Sequence, residues 1–115
     1  MKNLLLFLLT VTLMSCSTAQ ARMLEADYVL EHCMGRVEVV LQDSTRVDCL
    51  TDEYAIEYDW AHKWAEAVGQ SLHYARMTGK KPGIVLIMKP GDEKYLERLK
   101  PIAFNAGIKV WTVWR

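Results

Sequence analysis

Residues 83–88 form an unbroken apolar run, Gly-Ile-Val-Leu-Ile-Met, which is typical of a strand buried on both of its faces. Helical patterns stand on either side of it, over 60–77 and 92–105, and a last strand follows at 109–114. Because a helix joins the two strands, they should run parallel. The pattern predicts an α/β sheet, with Pro101 kinking or splitting the second helix.

The part of the chain before this run predicts one helix and three short strands. Residues 24–33 carry apolar or small residues at helical spacing, and Gly35 ends the pattern. The strands are joined by connections too short for crossovers, so they should form an antiparallel meander. They cover residues 36–41, 46–50 and 54–58. The predicted order is α-β-β-β-α-β-α-β, a single mixed sheet in one α/β (α+β) domain over residues 24–115.

The long helix predicted at 60–77 follows Asp59, a good N-cap residue, and Gly79 ends it. One face of this helix is apolar and should pack on the sheet. That face comprises Trp60, Trp64, Ala67, Val68, Ser71 and Ala75. We also expect Trp111 and Trp114 in the core rather than on a platform for stacked bases.

Length, composition and charge exclude several classes of protein. The chain has 115 residues, 51% apolar and 24% charged, which suits one small globular domain and excludes a low-complexity polymer. A net charge of zero excludes a strongly basic nucleic-acid coat. Residues 25–66 hold 11 acids against three bases, and residues 67–115 hold three acids against nine bases. One half could collect a cation and the other face an anion, or both are solvated surfaces.

The N-terminus has the pattern of an export signal. One positive charge precedes an apolar run at 4–14, which is too short to span a bilayer as a mature helix and suits the core of a secretory signal. The ending Leu-Met-Ser-Cys at residues 13–16 resembles the lipobox of bacterial lipoproteins. This resemblance implies a signal peptide over residues 1–15, lipidation of Cys16 and a tether over residues 16–23.

The lipobox resemblance implies a lipid-anchored envelope protein without a transmembrane helix in its mature chain. Ser17 after the cysteine favours the outer membrane, facing the periplasm. Two alternatives stay open: a cleaved leader with a merely buried Cys16, or a mis-assigned start codon, which would leave a cytoplasmic domain. In the periplasm Cys33 and Cys49 could pair, or they could remain two buried thiols.

Three acids should gather at one end of the meander. Asp48 stands mid-strand between apolar neighbours, where an acid is costly unless it binds something. Glu57 lies on the adjacent strand, and Asp59 shares its side by period-2 alternation. Paired carboxylates repel, and a cation such as Mg²⁺ or Mn²⁺ would relieve that repulsion. Alternatively, Asp48 pairs with Arg46, and Asp59 only caps the helix.

Polar residues form a seam along the long helix beside these acids. Lys63, Gln70 and Tyr74 lie along one edge of it, and a cation, an amide and a phenol suit binding a phosphate. Lys80 and Lys81 could also contact phosphate, or could form a solvated turn.

These residues resemble the PD-(D/E)XK, or restriction-endonuclease-like, nuclease superfamily. The predicted α-β-β-β-α-β order matches its core, Asp48 and Glu57 match its two strand acids, and Gln-Ser-Leu-His-Tyr at 70–74 matches the Q-x-x-x-Y helix motif of one branch. A glutamate on or after the first helix often completes the set, here Glu31 or Glu38.

The resemblance implies a metal-dependent phosphodiesterase acting on nucleic acid. Its catalytic residues would be Asp48, Glu57, Lys63 and Gln70, and its metal ligands Asp48, Glu57 and Asp59. Gln70, Tyr74, Lys80 and Lys81 would bind substrate, and the basic C-terminal half would carry the nucleic-acid backbone. The chain departs from the family because Asp59 stands where the motif has lysine, so Lys63 would substitute or catalysis has been lost. The alternative is a non-enzymatic envelope lipoprotein that uses the fold as a binding or scaffold module.

Overall fold

The computed structural model describes residues 23–115, in which helices and strands follow the predicted order. This part of the chain is an α/β domain with one five-stranded mixed sheet and three helices. The helices are α1 (Glu25–His32), α2 (Trp64–Thr78) and α3 (Glu93–Ala106). The strands are β1 (Arg36–Val40), β2 (Arg46–Leu50), β3 (Tyr54–Trp60), β4 (Lys81–Met88) and β5 (Lys109–Trp114). The signal peptide and lipidation predicted at residues 1–22 lie outside the described residues.

The five strands stand in the sheet in their chain order. β1, β2 and β3 pair antiparallel, and β3, β4 and β5 pair parallel. The antiparallel meander and the parallel pair were both predicted, the first from short connections and the second from the intervening helix. α2 and α3 serve as the two crossovers.

β4 is buried on both faces, as its apolar run predicts. Ile84, Leu86 and Met88 point to the side covered by α2 and α3, which we call the α2/α3 face. Val85 and Ile87 point to the opposite side, which carries α1 and which we call the α1 face. The two layers of core therefore share this one strand.

The predicted start of the long helix is wrong. β3 continues through Trp60, which pairs with Ile87 of β4, and a 3₁₀ turn at Ala61–Lys63 precedes α2. Asp59 is therefore a strand residue rather than a helix cap, because seven residues of parallel ladder hold this segment extended. Trp60 packs edge-on against Tyr28 of α1, with ring centroids 5.8 Å apart. It therefore lies on the α1 face of the sheet and not on the predicted apolar face of the long helix.

The rest of the long helix agrees with its pattern. Trp64 and Val68 pack against the core, and Ala67 and Ser71 are buried. The helix ends at Gly79, whose φ of 70° is a left-handed conformation that glycine adopts without steric cost.

Three smaller predictions did not hold in full. Trp114 is not a core residue, because it lies on the edge strand β5 and is 54% exposed. Of the two effects expected of Pro101, it does not split the last helix, which runs from Glu93 to Ala106 because the buried Leu99 and Ala103 anchor it on both sides of the proline. β4 begins at Lys81, two residues earlier than predicted, because the lysine pairs with Tyr54 of β3.

Cys33 and Cys49 form a disulfide with their Cα atoms 5.7 Å apart. The bond joins the residue after α1 to β2, one position from Asp48. It therefore fixes α1 against the meander. A helix of eight residues is marginal by itself, so this tie and the burial of two α1 side chains hold it in place.

Candidate acidic site between β2 and β3

β2 and β3 separate part of the way along the sheet and leave a fork between them. They pair only at Cys49 with Ile56 and at Leu50 with Ala55. Asp48, the next residue of β2, instead accepts a hydrogen bond through Oδ2 from the backbone N–H of Tyr58, at 2.9 Å. A carboxylate thus replaces the strand pairing that would have continued the ladder.

The Asp48 and Glu57 carboxyl groups interact inside this fork, because the charge of Asp48 raises the pKa of Glu57. The sequence predicts this contact from the short turn between the two strands. Glu57 is only 5% exposed, and its Oε2 is buried without a hydrogen-bonding partner among the described residues. Burying a carboxyl oxygen without a hydrogen bond lowers the stability of the folded protein. A proton or a cation bound at this position would be favourable.

Burial and mutual repulsion change the acidity of the pair. Desolvation, then the charge of Asp48, raise the pKa of Glu57 to about 10. Desolvation also raises the pKa of Asp48, although the hydrogen bond from Tyr58 opposes that rise. The pair therefore holds one proton at neutral pH.

Asp59 and Glu25 extend the group of acids. The charge of Glu25 acts on Asp59, which is only 3% exposed. Desolvation and then the charge of Glu25 raise the pKa of Asp59 to about 7, while Lys63 opposes the rise. Asp59 Oδ1 also accepts the backbone N–H of Trp60 at 3.0 Å. We call Glu25, Asp48, Glu57 and Asp59 together the acidic fork.

Lys63 lies at the Glu25 end of the acidic fork. Its Nζ is 3.8 Å from Glu25 Oε1, and its charge acts on Asp59. The 3₁₀ turn directly after β3 carries this lysine, so it lies at the end of the strand that holds Glu57 and Asp59. The structure thus brings the predicted lysine near one of the predicted acids, Asp59, where it is paired with a carboxylate from α1.

The backbone is strained opposite Asp48. The β1–β2 register passes from Val37–Cys49 to Val39–Val47 without a pair at Glu38 and Asp48. Glu38 has a φ of 53°, an uncommon conformation for a residue with a side chain. Its charge helps to raise the pKa of Asp48, after desolvation and Glu25. Irregular strand positions of this kind are frequent next to functional sites.

The predicted polar seam on α2 is divided between the acidic fork and solvent. Tyr74 is buried, and desolvation followed by the charges of Glu57 and Asp48 raises its pKa to about 12. Its phenol therefore borders the paired carboxyls. Gln70 is exposed, and its side chain makes no hydrogen bond to any other residue in the range 23–115.

The predicted phosphate contacts at Lys80 and Lys81 are occupied by the chain itself. Lys80 Nζ donates to the backbone carbonyl of Asp52 at 2.7 Å, and Lys81 Nζ donates to Glu53 Oε1 at 3.0 Å. Both lysines lie where β4 begins, away from the acidic fork. The alternative pairing of Asp48 with Arg46 is absent from the part of the chain that the structure describes.

The chemistry of the donors fits a divalent cation at the Asp48–Glu57 pair. The buried Glu57 oxygen lacks a partner, and two adjacent carboxylates are the oxygen ligands that Mg²⁺ prefers. Within residues 23–115 no three Asp, Glu, His or Cys side chains converge as a metal-binding group, so Asp59 does not join the pair as a third ligand. Mg²⁺ sites commonly use one or two carboxylates, with water and substrate phosphate completing the shell.

Sequence reasoning missed Glu25 and named Glu31 or Glu38 from the family pattern instead. Glu31 is exposed and lies 3.9 Å from its neighbour His32. A local signal for Glu25 was present, because it precedes the buried Tyr28 and Val29 by three and four residues. Residues at that spacing share one side of a helix, so Glu25 belongs to the side that packs on the sheet.

Comparison with protein-family models, curated proteins and solved structures found no match for this chain. The family resemblance therefore depends on the motif residues and the order of the elements. Among residues 23–115, no helix is long and apolar enough to cross a membrane.

Proposed function

We propose that the domain is a metal-dependent phosphodiesterase of nuclease type with a restriction-endonuclease-like core. The observation that carries this proposal is the Asp48–Glu57 pair, because one of its oxygens is buried, lacks a partner and would gain one from a bound cation. The element order, with two acids on neighbouring strands followed by a lysine and the crossover helix, supports the same proposal.

Asp48 and Glu57 would hold the cation, Mg²⁺ or Mn²⁺, once Glu57 has lost its proton. The bound ion would supply Lewis-acid polarisation of a phosphate and a lowered pKa for water. The hydrogen bond from Tyr58 keeps the Asp48 carboxylate turned into the fork. Because the pKa values of Asp48 and Glu57 are raised, a cation must compete with a proton for these carboxyl groups. Metal affinity should therefore increase with pH.

Lys63 would stabilise the negative charge that develops on the phosphate. Its ammonium group lies at the same end of β3 as Asp59, and its partner Glu25 keeps it there. Gln70 is exposed on α2, one turn before Tyr74, and would contact substrate or water. The motif requires a positive charge two residues after Glu57, where this chain has Asp59. Lys63 would supply that charge from the 3₁₀ turn instead.

We also propose that the protein is exported and lipid-anchored at Cys16. The disulfide between Cys33 and Cys49 supports export, because such bonds persist in oxidising compartments such as the periplasm. A cytoplasmic location, expected if the start codon is mis-assigned, would leave these thiols reduced.

The test of the enzymatic proposal measures metal binding and cleavage separately. We expect Mg²⁺ or Mn²⁺ to raise the melting temperature, and the metal-loaded protein to cleave DNA or RNA, single- or double-stranded, with no cleavage in chelator. Asp48→Asn should abolish both effects, whereas Lys63→Met should lose cleavage and keep the thermal shift. Asp52→Asn changes an exposed acid outside the fork and is the matched control.

The opposite result supports the alternative function. If wild type shows neither a thermal shift with metal nor cleavage of any nucleic acid, the phosphodiesterase proposal is wrong. A non-enzymatic envelope module would then be the better account, and the pairing of Lys63 with Glu25 would be purely structural.

A further inference from the structure

The α1 face of the sheet is only partly covered. α1 packs on β2 and β3, while both other helices lie on the α2/α3 face. Beside α1 the uncovered strands form an open groove of about 360 Å³. Its floor includes Ile56 and Val85, and its walls include Tyr54 and Trp111. Concave sites of this size and apolar character commonly bind small ligands or single groups of larger ones.

Tyr54 and Trp111 form an aromatic pair at this groove. Their rings meet edge to face with centroids 5.1 Å apart, and both side chains are partly exposed. Trp111 lies directly over Gly83, where an added Cβ would come within 2.8 Å of the ring. Glycine at this position therefore lets the tryptophan lie flat along the sheet. The prediction that Trp111 is only a core residue is incomplete, because one part of its ring lines the groove.

Three aromatic rings on this face have a cation beside them. Lys81 Nζ is 6.0 Å from the Tyr54 ring centroid, Lys109 Nζ is 6.0 Å from that of Trp111, and the Arg115 guanidinium is 4.3 Å from that of Trp60. Lys81 has an exposed partner in Glu53, a pair worth little in water.

Two of these three cations are unpaired among the described residues, and the lining of the groove holds no acid. Lys109 and Arg115 make no ion pair with any residue in the described range. No Asp or Glu belongs to the described lining of the groove. The groove therefore suits a ligand that joins an aromatic ring to an anion.

We propose that this groove binds single-stranded nucleic acid, with a base against Tyr54 and Trp111 and the adjoining phosphate near Lys109. Stacking on aromatic side chains beside a positive track is how proteins hold single strands without reading sequence, and a duplex hides the base faces that it needs. Glu57 alternates along β3 with Ile56 and Tyr58, which line the groove, so the Asp48–Glu57 pair lies on the opposite face of the sheet. Binding in the groove goes beyond the proposed cleavage and does not depend on it.

The binding test uses the full-length protein in mild detergent with chelator present, so that no cleavage occurs. The probe is a fluorescently labelled single-stranded oligodeoxythymidine, followed by its anisotropy. Trp111→Ala should weaken binding by about 5- to 150-fold, the equivalent of the ~1–3 kcal/mol that one base stack contributes. Trp111→Phe keeps an aromatic ring over Gly83 and should retain most of the affinity, which separates lost stacking from lost folding.

The charge test compares two lysines that each lie near an aromatic ring. Lys109→Gln should lower the dependence of log affinity on log salt by about 0.7, the value for one phosphate contact on a single strand. Lys94→Gln removes a cation 5.1 Å from Tyr95 on α3, on the other side of the sheet, and should change nothing. Asp48→Asn should also bind normally, so failure of cleavage and failure of this site are distinguishable.

Three outcomes would overturn the proposal. The first is no binding of the oligonucleotide to wild type. The second is equal affinity for wild type and Trp111→Ala. The third is the same salt dependence of affinity for Lys109→Gln and Lys94→Gln. Tighter binding of the matching duplex, or occupation of the groove only by an uncharged apolar probe, would equally count against a single-strand site.

Discussion

Replacing Glu57 with glutamine should stabilise the protein at neutral pH and reduce the pH dependence of its stability. The folded pKa of Glu57 is about 10, against an ordinary value of 4.5, so the folded protein keeps a proton that the unfolded chain has released. A carboxyl with a raised folded pKa contributes most stability below its unfolded pKa. That contribution is lost as the pH rises towards the folded pKa.

The magnitude follows from the width of this pH window. Each pH unit between 4.5 and about 10 lowers the free energy of unfolding by about 1.4 kcal/mol for one proton. At pH 7 the loss relative to acid conditions is therefore about 3 kcal/mol. Because the side chain is 5% exposed, solvent screening reduces this figure little. Glu57→Gln keeps the shape, cannot ionise and should recover up to about 3 kcal/mol at pH 7.

The assay is urea unfolding followed by tryptophan fluorescence, in chelator, at several values between about pH 5.5 and about pH 8.5. Wild type should lose stability across this range. Glu57→Gln should lose less, because below about pH 7 it keeps only the slope that Asp59 contributes and above that pH it should be nearly level. Glu97→Gln is the matched control, because Glu97 is exposed on α3 and paired with Lys100 at 2.9 Å. Equal slopes for wild type and Glu57→Gln would show that the pair does not hold a proton in the folded state.

Three further predictions concern the core, the disulfide and the anchor. Leu99→Ala should lower the free energy of unfolding by about 2–5 kcal/mol, since Leu99 is fully buried. Phe104→Ala on the same helix should change it little, because Phe104 is 86% exposed. Similar losses for the two variants in urea unfolding would contradict this core. Replacing Cys33 and Cys49 by alanine should cost about 3 kcal/mol for a loop of this length, and no difference from the oxidised wild type would argue against the bond. Cys16→Ser should leave the membrane fraction or accumulate as uncleaved precursor, and normal processing with membrane attachment would refute lipidation at this residue.

The part of the candidate site that depends on local sequence pattern and short connections could be predicted from the sequence. Asp48 and Glu57 lie on strands joined by a short turn, so their contact follows from the antiparallel pairing of neighbours. Glu25 joins them from far away in the chain, and its approach depends on the docking of α1 and on the disulfide. Lys63 was named correctly as a neighbour of the acids, but its partner was not, because that partner lies on α1.

The amino-acid sequence by itself determined the order of helices and strands, the burial of β4 on both faces and the pairing of two acids at the meander. These features depend on the period of apolar residues and on connection lengths, which are local properties. Only the tertiary structure decided that β3 continues through Trp60, that Cys33 bonds to Cys49 and that part of the α1 face stays uncovered. Each of these outcomes depends on how distant segments meet, and a strand's hydrogen bonds to its neighbour can outweigh a local helix signal.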